Sequence, residues 1–209
     1  MIEKNIKKYI KKNLGKRNVY IETGFKNGDS LRSALQFSFD KLYTIEFYQK
    51  YFDEEINFLT SYSKRVIPIT GDSGLQLDKL LKEISIKKEL SACVYLDAHG
   101  HNSKISPLIN ELNALKNNNR KNDLIIIDDF FFIENALNNR NRAPWATEII
   151  DAGWDVNKIY NLLREINGKD AIIEKIPYYP GPLYKTIFNR YSPFSVDGKN
   201  YHLCSRCKD

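Results

Sequence analysis

Asn18-Val-Tyr-Ile-Glu-Thr-Gly-Phe-Lys-Asn-Gly-Asp-Ser30 is the stretch whose reading decides the fold. Val19, Tyr20 and Ile21 form a short apolar run suited to a buried strand, and Glu22 to Gly28 follow as turn residues. Asp29 or Ser30 is placed to cap a helix in which Leu31, Ala34 and Leu35 share one face. A strand, a loop holding Gly24 and Gly28, and a helix N-terminus together bring bare backbone N–H groups close to a ligand. The stretch therefore predicts a cofactor-binding βα unit. It has neither the three glycines of a dinucleotide fingerprint nor the Gly-Lys-Ser/Thr ending of a phosphate loop.

Working outward, Lys41 to Glu46 alternates and carries the β-favouring Tyr43, Thr44 and Ile45, so a second strand ends in an acid. Glu46 follows Glu22 by 24 residues, close to the ~20-residue offset at which Rossmann-type folds place a carboxylate on ribose hydroxyls. Tyr48 to Tyr62 reads as a helix, and Arg65 to Thr70 as a third strand running into Gly71, Asp72 and Ser73. Asp72 also suits an N-cap on the next helix, Leu75 to Ile84, and the two roles are compatible. Ala92 to Leu96 is an apolar fourth strand ending in Asp97-Ala98-His99-Gly100-His101, after which Ser106 and Pro107 open a helix. Asp123 to Ile127 is a fifth, ending in Asp128-Asp129-Phe130. Open α/β sheets bind ligands outside the carboxyl ends of their strands, and Glu22, Glu46, Asp72, Asp97 and Asp128 all fall there.

The last third departs from alternation. Asn138 to Trp145 reads as a loop, Val156 to Ile166 as a helix, and Ala171 to Tyr179 as a sixth strand. The turn Tyr179-Pro180-Gly181-Pro182 then predicts an antiparallel seventh strand at Leu183 to Asn189, with an irregular tail from Tyr191 to Asp209.

With 209 residues, 42% hydrophobic and 28% charged, the chain is expected to form one α/β domain over residues 1–209, its catalytic core at 18–190. No apolar run approaches the ~20 residues of a membrane span, and the lysine-rich N-terminus lacks a signal-peptide pattern, so a cytoplasmic location is expected. Three cysteines fit reducing surroundings better than a disulfide framework; Cys204 and Cys207 near His202 read as free thiols rather than half a zinc site. The net charge of +6 is partly local, because Lys4, Lys7, Lys8, Lys11, Lys12, Lys16 and Arg17 crowd the first residues. Ile2, Ile6, Ile10 and Leu14 recur every four residues, so residues 1–17 read as an amphipathic helix with an apolar stripe on the body and a solvated basic face.

Tyr20-Ile-Glu-Thr-Gly-Phe-Lys-Asn-Gly-Asp-Ser30, Tyr43-Thr-Ile-Glu46, Ile69-Thr-Gly-Asp-Ser73, Val94-Tyr-Leu-Asp-Ala-His-Gly100 and Ile125-Ile-Ile-Asp-Asp-Phe130 stand in an order that resembles class I S-adenosylmethionine-dependent methyltransferases, from about Val19 to Asn189. Within that superfamily they are similar to small O-methyltransferases of sugars and sugar-bearing natural products, of bacterial and large algal DNA virus types. The resemblance implies a Rossmann-like, seven-stranded, mostly parallel sheet with its last strand antiparallel and helices on both faces. It assigns Glu22, Thr23, Gly24, Gly28 and Ser30 to the methionine and ribose end of the cofactor, Glu46 to the ribose hydroxyls, and Asp72 with Ser73 to the adenine, with Asp97 also at the cofactor.

Methyl transfer to oxygen requires an aligned acceptor and a hydroxyl made nucleophilic near neutral pH. Two devices serve: a base, for which His99 and Asp97 are the candidates, or a divalent cation such as Mg2+ or Mn2+ held by Asp97, Asp128 and Asp129. Adjacent Asp128 and Asp129 face opposite ways in a continuing strand, so both reach one ion only if the backbone turns there. His101, Arg142, Trp145, Tyr178 and Tyr179, with Arg140 alongside, suit a sugar ring and its hydroxyls, and the expected acceptor is a carbohydrate, with nucleic acid disfavoured. The basic balance keeps an RNA methyltransferase as the rival, and a nucleotide-binding protein without catalysis is a second.

Overall fold

A computed structural model describes residues 4–86, 91–98, 106–139, 147–178 and 200–208. In chain order its elements are α1 (Lys4–Asn13), β1 (Val19–Thr23), α2 (Asp29–Ala34), β2 (Lys41–Glu46), α3 (Gln49–Glu54), α4 (Ile56–Ser61), β3 (Val66–Thr70), α5 (Ser73–Ile86), β4 (Ala92–Leu96), α6 (Leu108–Asn117), β5 (Leu124–Ile127), α7 (Phe130–Asn139), α8 (Thr147–Asp151), α9 (Val156–Asn167), β6 (Ile172–Tyr178) and β7 (Asn200–Arg206). The strands form one seven-stranded sheet in the order β3-β2-β1-β4-β5-β7-β6. Neighbours from β3 to β5 pair in parallel, and β7 runs antiparallel to both β5 and β6.

Continuous apolar runs make the central strands because helices cover both faces of the sheet. Along one face Ile21, Ile45, Val94, Ile127 and Leu203 pack with Leu77 and Leu81 of α5, Leu112 of α6, Phe130 of α7 and Leu163 of α9. Along the other, Tyr20, Leu42, Cys93, Tyr95, Ile126 and Cys204 pack with Ile6 and Ile10 of α1, Leu31 and Ala34 of α2, Phe52 of α3 and Leu59 of α4. The N-terminal helix runs over Lys4–Asn13 rather than 1–17, with Ile6, Tyr9 and Ile10 buried, Leu14 just past its end and Ile2 outside the described residues. It also docks by a polar contact, the Tyr9 hydroxyl donating to Glu174 of β6 at 2.8 Å. Among the described residues no helix is long and apolar enough to cross a membrane.

Several expectations change. The strand that inserts antiparallel between β5 and β6 is built from Asn200–Arg206, inside the segment expected to be an irregular tail; the expected strand at 183–189 lies outside the described residues. Asn-Tyr-His-Leu-Cys-Ser-Arg carries only a weak alternation, and the slot between β5 and β6 supplies its burial on both sides. The expected single helix at 48–62 is two short ones, interrupted at Glu55 (φ −110°, ψ 21°). Neither Asp29 nor Ser30 caps α2; Gly28 takes that position with φ 68°, and Ser30 lies inside the helix. At α6, Pro107 occupies the cap position and the Ser106 hydroxyl accepts from the Leu108 N–H at 3.5 Å, one residue from the expected start.

Candidate active site

The parallel register brings the carboxyl ends of β1, β2, β4 and β5 to one edge, where the loop after β1 packs against the end of β4. Gly24 has φ 86°, and a Cβ there would stand 2.5 Å from the Asp97 carbonyl oxygen. Only glycine lets the end of β1 lie this close to the end of β4. The loop is tied on both sides, by Gly24 N–H to Ile45 O at 2.8 Å and Asp97 N–H to Thr23 O at 3.0 Å. At Gly28 (φ 68°) a Cβ would meet the Phe25 ring at 2.7 Å.

Glu22 is fully buried and accepts hydrogen bonds from the hydroxyls of Thr44 (2.8 Å), Tyr20 (3.1 Å) and Ser30. Burial pushes its carboxyl up to about 7, with the hydroxyls pulling the other way. It therefore welds β1, β2 and α2 together beneath the loop. Glu46, also buried, accepts the Lys26 N–H on Oε2 at 3.1 Å and the Tyr48 N–H on Oε1 at 2.9 Å. Both oxygens are held in place, each with a second lone pair directed elsewhere. Asp72 accepts the Leu75 N–H at 3.0 Å and so does cap α5, with buried Ser73 as that helix's first residue.

Beside these groups stand two exposed apolar residues that the sequence pattern does not single out. Phe47 is 61% exposed directly after Glu46, and Leu75 is 66% exposed three residues after Asp72. Large apolar groups left bare at the ligand edge suit a flat ring. The signal was the aromatic pair Phe47-Tyr48 immediately after an acidic strand end.

A second cluster forms where β4, β5 and β7 end. The carboxyls of Asp97 and Asp128 share a hydrogen bond, and the Tyr95 hydroxyl bonds to Asp128. Burial, then the charges of Asp128 and Asp129, raise the Asp97 carboxyl well above the ordinary aspartate range. Asp129 adopts φ 48° and donates its N–H to Asp128 Oδ1 at 3.0 Å, so the backbone does turn at the acidic pair. Buried His202 of β7 meets the Asp128 carboxylate through Nδ1, a contact that no sequence spacing suggests because 74 residues separate them. All three cysteines are free thiols. Among the described residues, no group of three or more His, Cys, Asp or Glu side chains is arranged to hold a metal ion.

His99, His101, Arg140, Arg142, Trp145 and Tyr179 lie outside the described residues. Tyr178 ends β6 opposite Asn200, at the same edge of the sheet as the acid cluster.

No protein-family model matches the sequence, and no curated protein matches it either. Solved structures do. An O-methyltransferase from Bacillus cereus in complex with SAH superposes with a TM-score of 0.61 at 16% identity, over 100% of this chain and 83% of that one. The methyltransferase domain of bacterial CtHen1 gives 0.55 at 13% identity, covering 98% of each chain. Cofactor-bound Rv0187 from MTB gives 0.54 at 13% identity, over 100% of this chain and 82% of that one. The chain has the class I S-adenosylmethionine-dependent methyltransferase fold. At such identities the likeness carries the fold alone, so activity and acceptor are argued from the site.

Proposed function

We propose that this protein is an S-adenosylmethionine-dependent O-methyltransferase whose acceptor is a carbohydrate hydroxyl. The observation that carries the cofactor is the pair Gly24 and Glu46: a glycine whose missing Cβ lets the ends of β1 and β4 close together at the ligand edge, beside a carboxylate held at both oxygens by N–H donors. Such a carboxylate has lone pairs to spare for a ribose diol, while Asp72 and the bare faces of Phe47 and Leu75 suit an adenine. The bound cofactor supplies a methyl group on a sulfonium sulfur. The chain's own work is to align the acceptor oxygen with that carbon and to take the hydroxyl proton. Asp97 is suited to the second task because its raised pKa makes it a stronger base than an ordinary aspartate, and His99, two residues further on, is the alternative. Asp128, gripped by His202 and the Tyr95 hydroxyl, orients Asp97.

Assistance by Mg2+ or Mn2+ is a second reading. It is favoured by the turn at Asp129, which removes the objection that neighbouring side chains diverge, and by the mutual repulsion of three carboxyls that a cation would relieve. Asp97, Asp128 and Asp129 would hold the ion, which would lower the pKa of the acceptor hydroxyl. The lack of a closed ligand set among the described residues counts against it.

The carbohydrate acceptor is supported by the sequence resemblance and by the aromatic and guanidinium residues Arg140, Arg142, Trp145 and Tyr179 of the sequence, with Tyr178 at the end of β6. Labelled-methyl transfer to deoxysugar-terminated oligosaccharides and to structured RNA, at low and moderate salt, tests it. Transfer to the oligosaccharides is expected. Label appearing only in RNA, and lost steeply as salt rises, would replace the carbohydrate by RNA, since each phosphate contact adds to the salt dependence.

A further inference from the structure

Glu111 has no part in the mechanism above, and its position is unusual. It stands in the first turn of α6 with 0% exposure. Three elements face it: β1 with Thr23, the start of α5 with Ser73, and the turn before α5 with Asp72. The first turns of α5 and α6 are pressed together there, so that a Cβ on Gly74 would stand 2.6 Å from the Cβ of Asn110. Among the described residues neither oxygen of Glu111 finds a hydrogen bond of full geometry, and its contacts are the hydroxyls of Ser73 and Thr23. Thr23 and Ser73 are near enough to draw its pKa partly down, but burial dominates and Asp72 adds to it, leaving the carboxyl at about 7. Among the described residues the facing groups are two hydroxyls and a carboxylate, with no cation.

A buried carboxylate met, among the described residues, only by the hydroxyls of Ser73 and Thr23 is costly to keep in place of an apolar residue. This one lies directly under the two segments assigned to the cofactor, Thr23-Gly24 and Asp72-Ser73. The two forms of that cofactor differ by one charge, because the methyl donor carries a sulfonium and its by-product is a neutral thioether. We infer that Glu111 is a specificity-determining residue of the cofactor site, a buried negative charge that favours S-adenosylmethionine over S-adenosylhomocysteine and so promotes exchange of product for substrate. The inference rests on the methyltransferase reading. For unit charges ~8–15 Å apart at an effective dielectric of ~20, Coulomb's law corresponds to a preference of about 5- to 30-fold.

The test is calorimetric affinity for both compounds at pH 5.5 and pH 8, in the wild-type protein and in Glu111→Gln. In the wild type the ratio of the two dissociation constants should favour the sulfonium more at pH 8, where Glu111 is ionised, than at pH 5.5, where it is protonated. Glu111→Gln should lower the ratio at pH 8 by about 5- to 30-fold and leave it unaltered at pH 5.5. If Gln does not fold, Glu111→Met offers a neutral side chain of similar size and the same expectation. A wild-type ratio independent of pH, or a folded neutral variant with the wild-type ratio at pH 8, overturns the inference while leaving the cofactor assignment intact. Binding of neither compound at either pH overturns the methyltransferase reading, and the inference with it.

Discussion

Glu111 makes a prediction about the unliganded protein that is independent of any cofactor. Its carboxyl ordinarily titrates at 4.5 and here is raised to about 7. Below pH 4.5 the group is protonated in both folded and unfolded chains and has no effect on stability. As pH rises through that value the unfolded chain gives up its proton while the folded one holds it, so stability falls until the folded carboxyl also ionises near pH 7. Above that the full penalty persists, about 3 kcal/mol at 1.36 kcal/mol per unit. Glu111→Gln retains the shape without the charge, so urea unfolding should find the variant more stable than the wild type at pH 8 by about 2–3 kcal/mol, and nearly equal to it at pH 4.5. Glu22 and Asp97, whose carboxyls are also raised, contribute a similar fall with pH to both proteins and cancel in the comparison. A variant no more stable than the wild type at pH 8 would refute the reasoning, because it would mean that Glu111 is compensated in the folded state.

Glu46→Ala removes a carboxylate already fixed by Lys26 and Tyr48 and should weaken S-adenosylmethionine binding by about 2–4 kcal/mol in calorimetry; unaltered affinity in a folded variant would place the ribose elsewhere. Gly24→Ala puts a Cβ 2.5 Å from the Asp97 carbonyl at φ 86°, so cofactor binding should be lost and the melting temperature lowered; near-normal binding would mean that the loop opens without cost. If a cation assists, excess chelator should abolish turnover with cofactor binding intact, and Mg2+ or Mn2+ should restore it. Full activity in chelator would leave the proton to Asp97 or His99 alone, in which case neutralising the base should cost at least ~100-fold in turnover.

The basic face of α1 is where an RNA acceptor would be expected to lie, but deleting the helix does not isolate its lysines. Ile6, Tyr9 and Ile10 are buried, and Tyr9 bonds to Glu174, so removing residues 1–13 exposes a core face as well as deleting the lysines. Reversing the exposed charges at Lys4, Lys8, Lys11 and Lys12 separates the two effects.

Sequence alone determined the parallel part of the sheet, because each strand from β1 to β5 is a local apolar run that stops at a polar residue, and the βα period repeats without interruption. It also placed Gly24, Gly28 and Glu46 at the ends of β1 and β2, since a strand end, a loop and a helix start are neighbours along the chain. What only the tertiary structure decided depends on contacts between distant segments. The antiparallel insert is β7, from the end of the chain, because the slot between β5 and β6 selects a strand by pairing and burial on both sides. His202 becomes the partner of Asp128 through that pairing alone. Glu22, which the resemblance assigns to the cofactor, turns out to be enclosed by hydroxyls from β1, β2 and α2. Glu111 reads in sequence as one more acid in the first turn of a surface helix, where a carboxylate is favoured by the helix dipole. Its burial against Thr23 and Ser73 arises only when α5 and α6 close together over the end of β1, since the fate of a charge is set by what surrounds it in space.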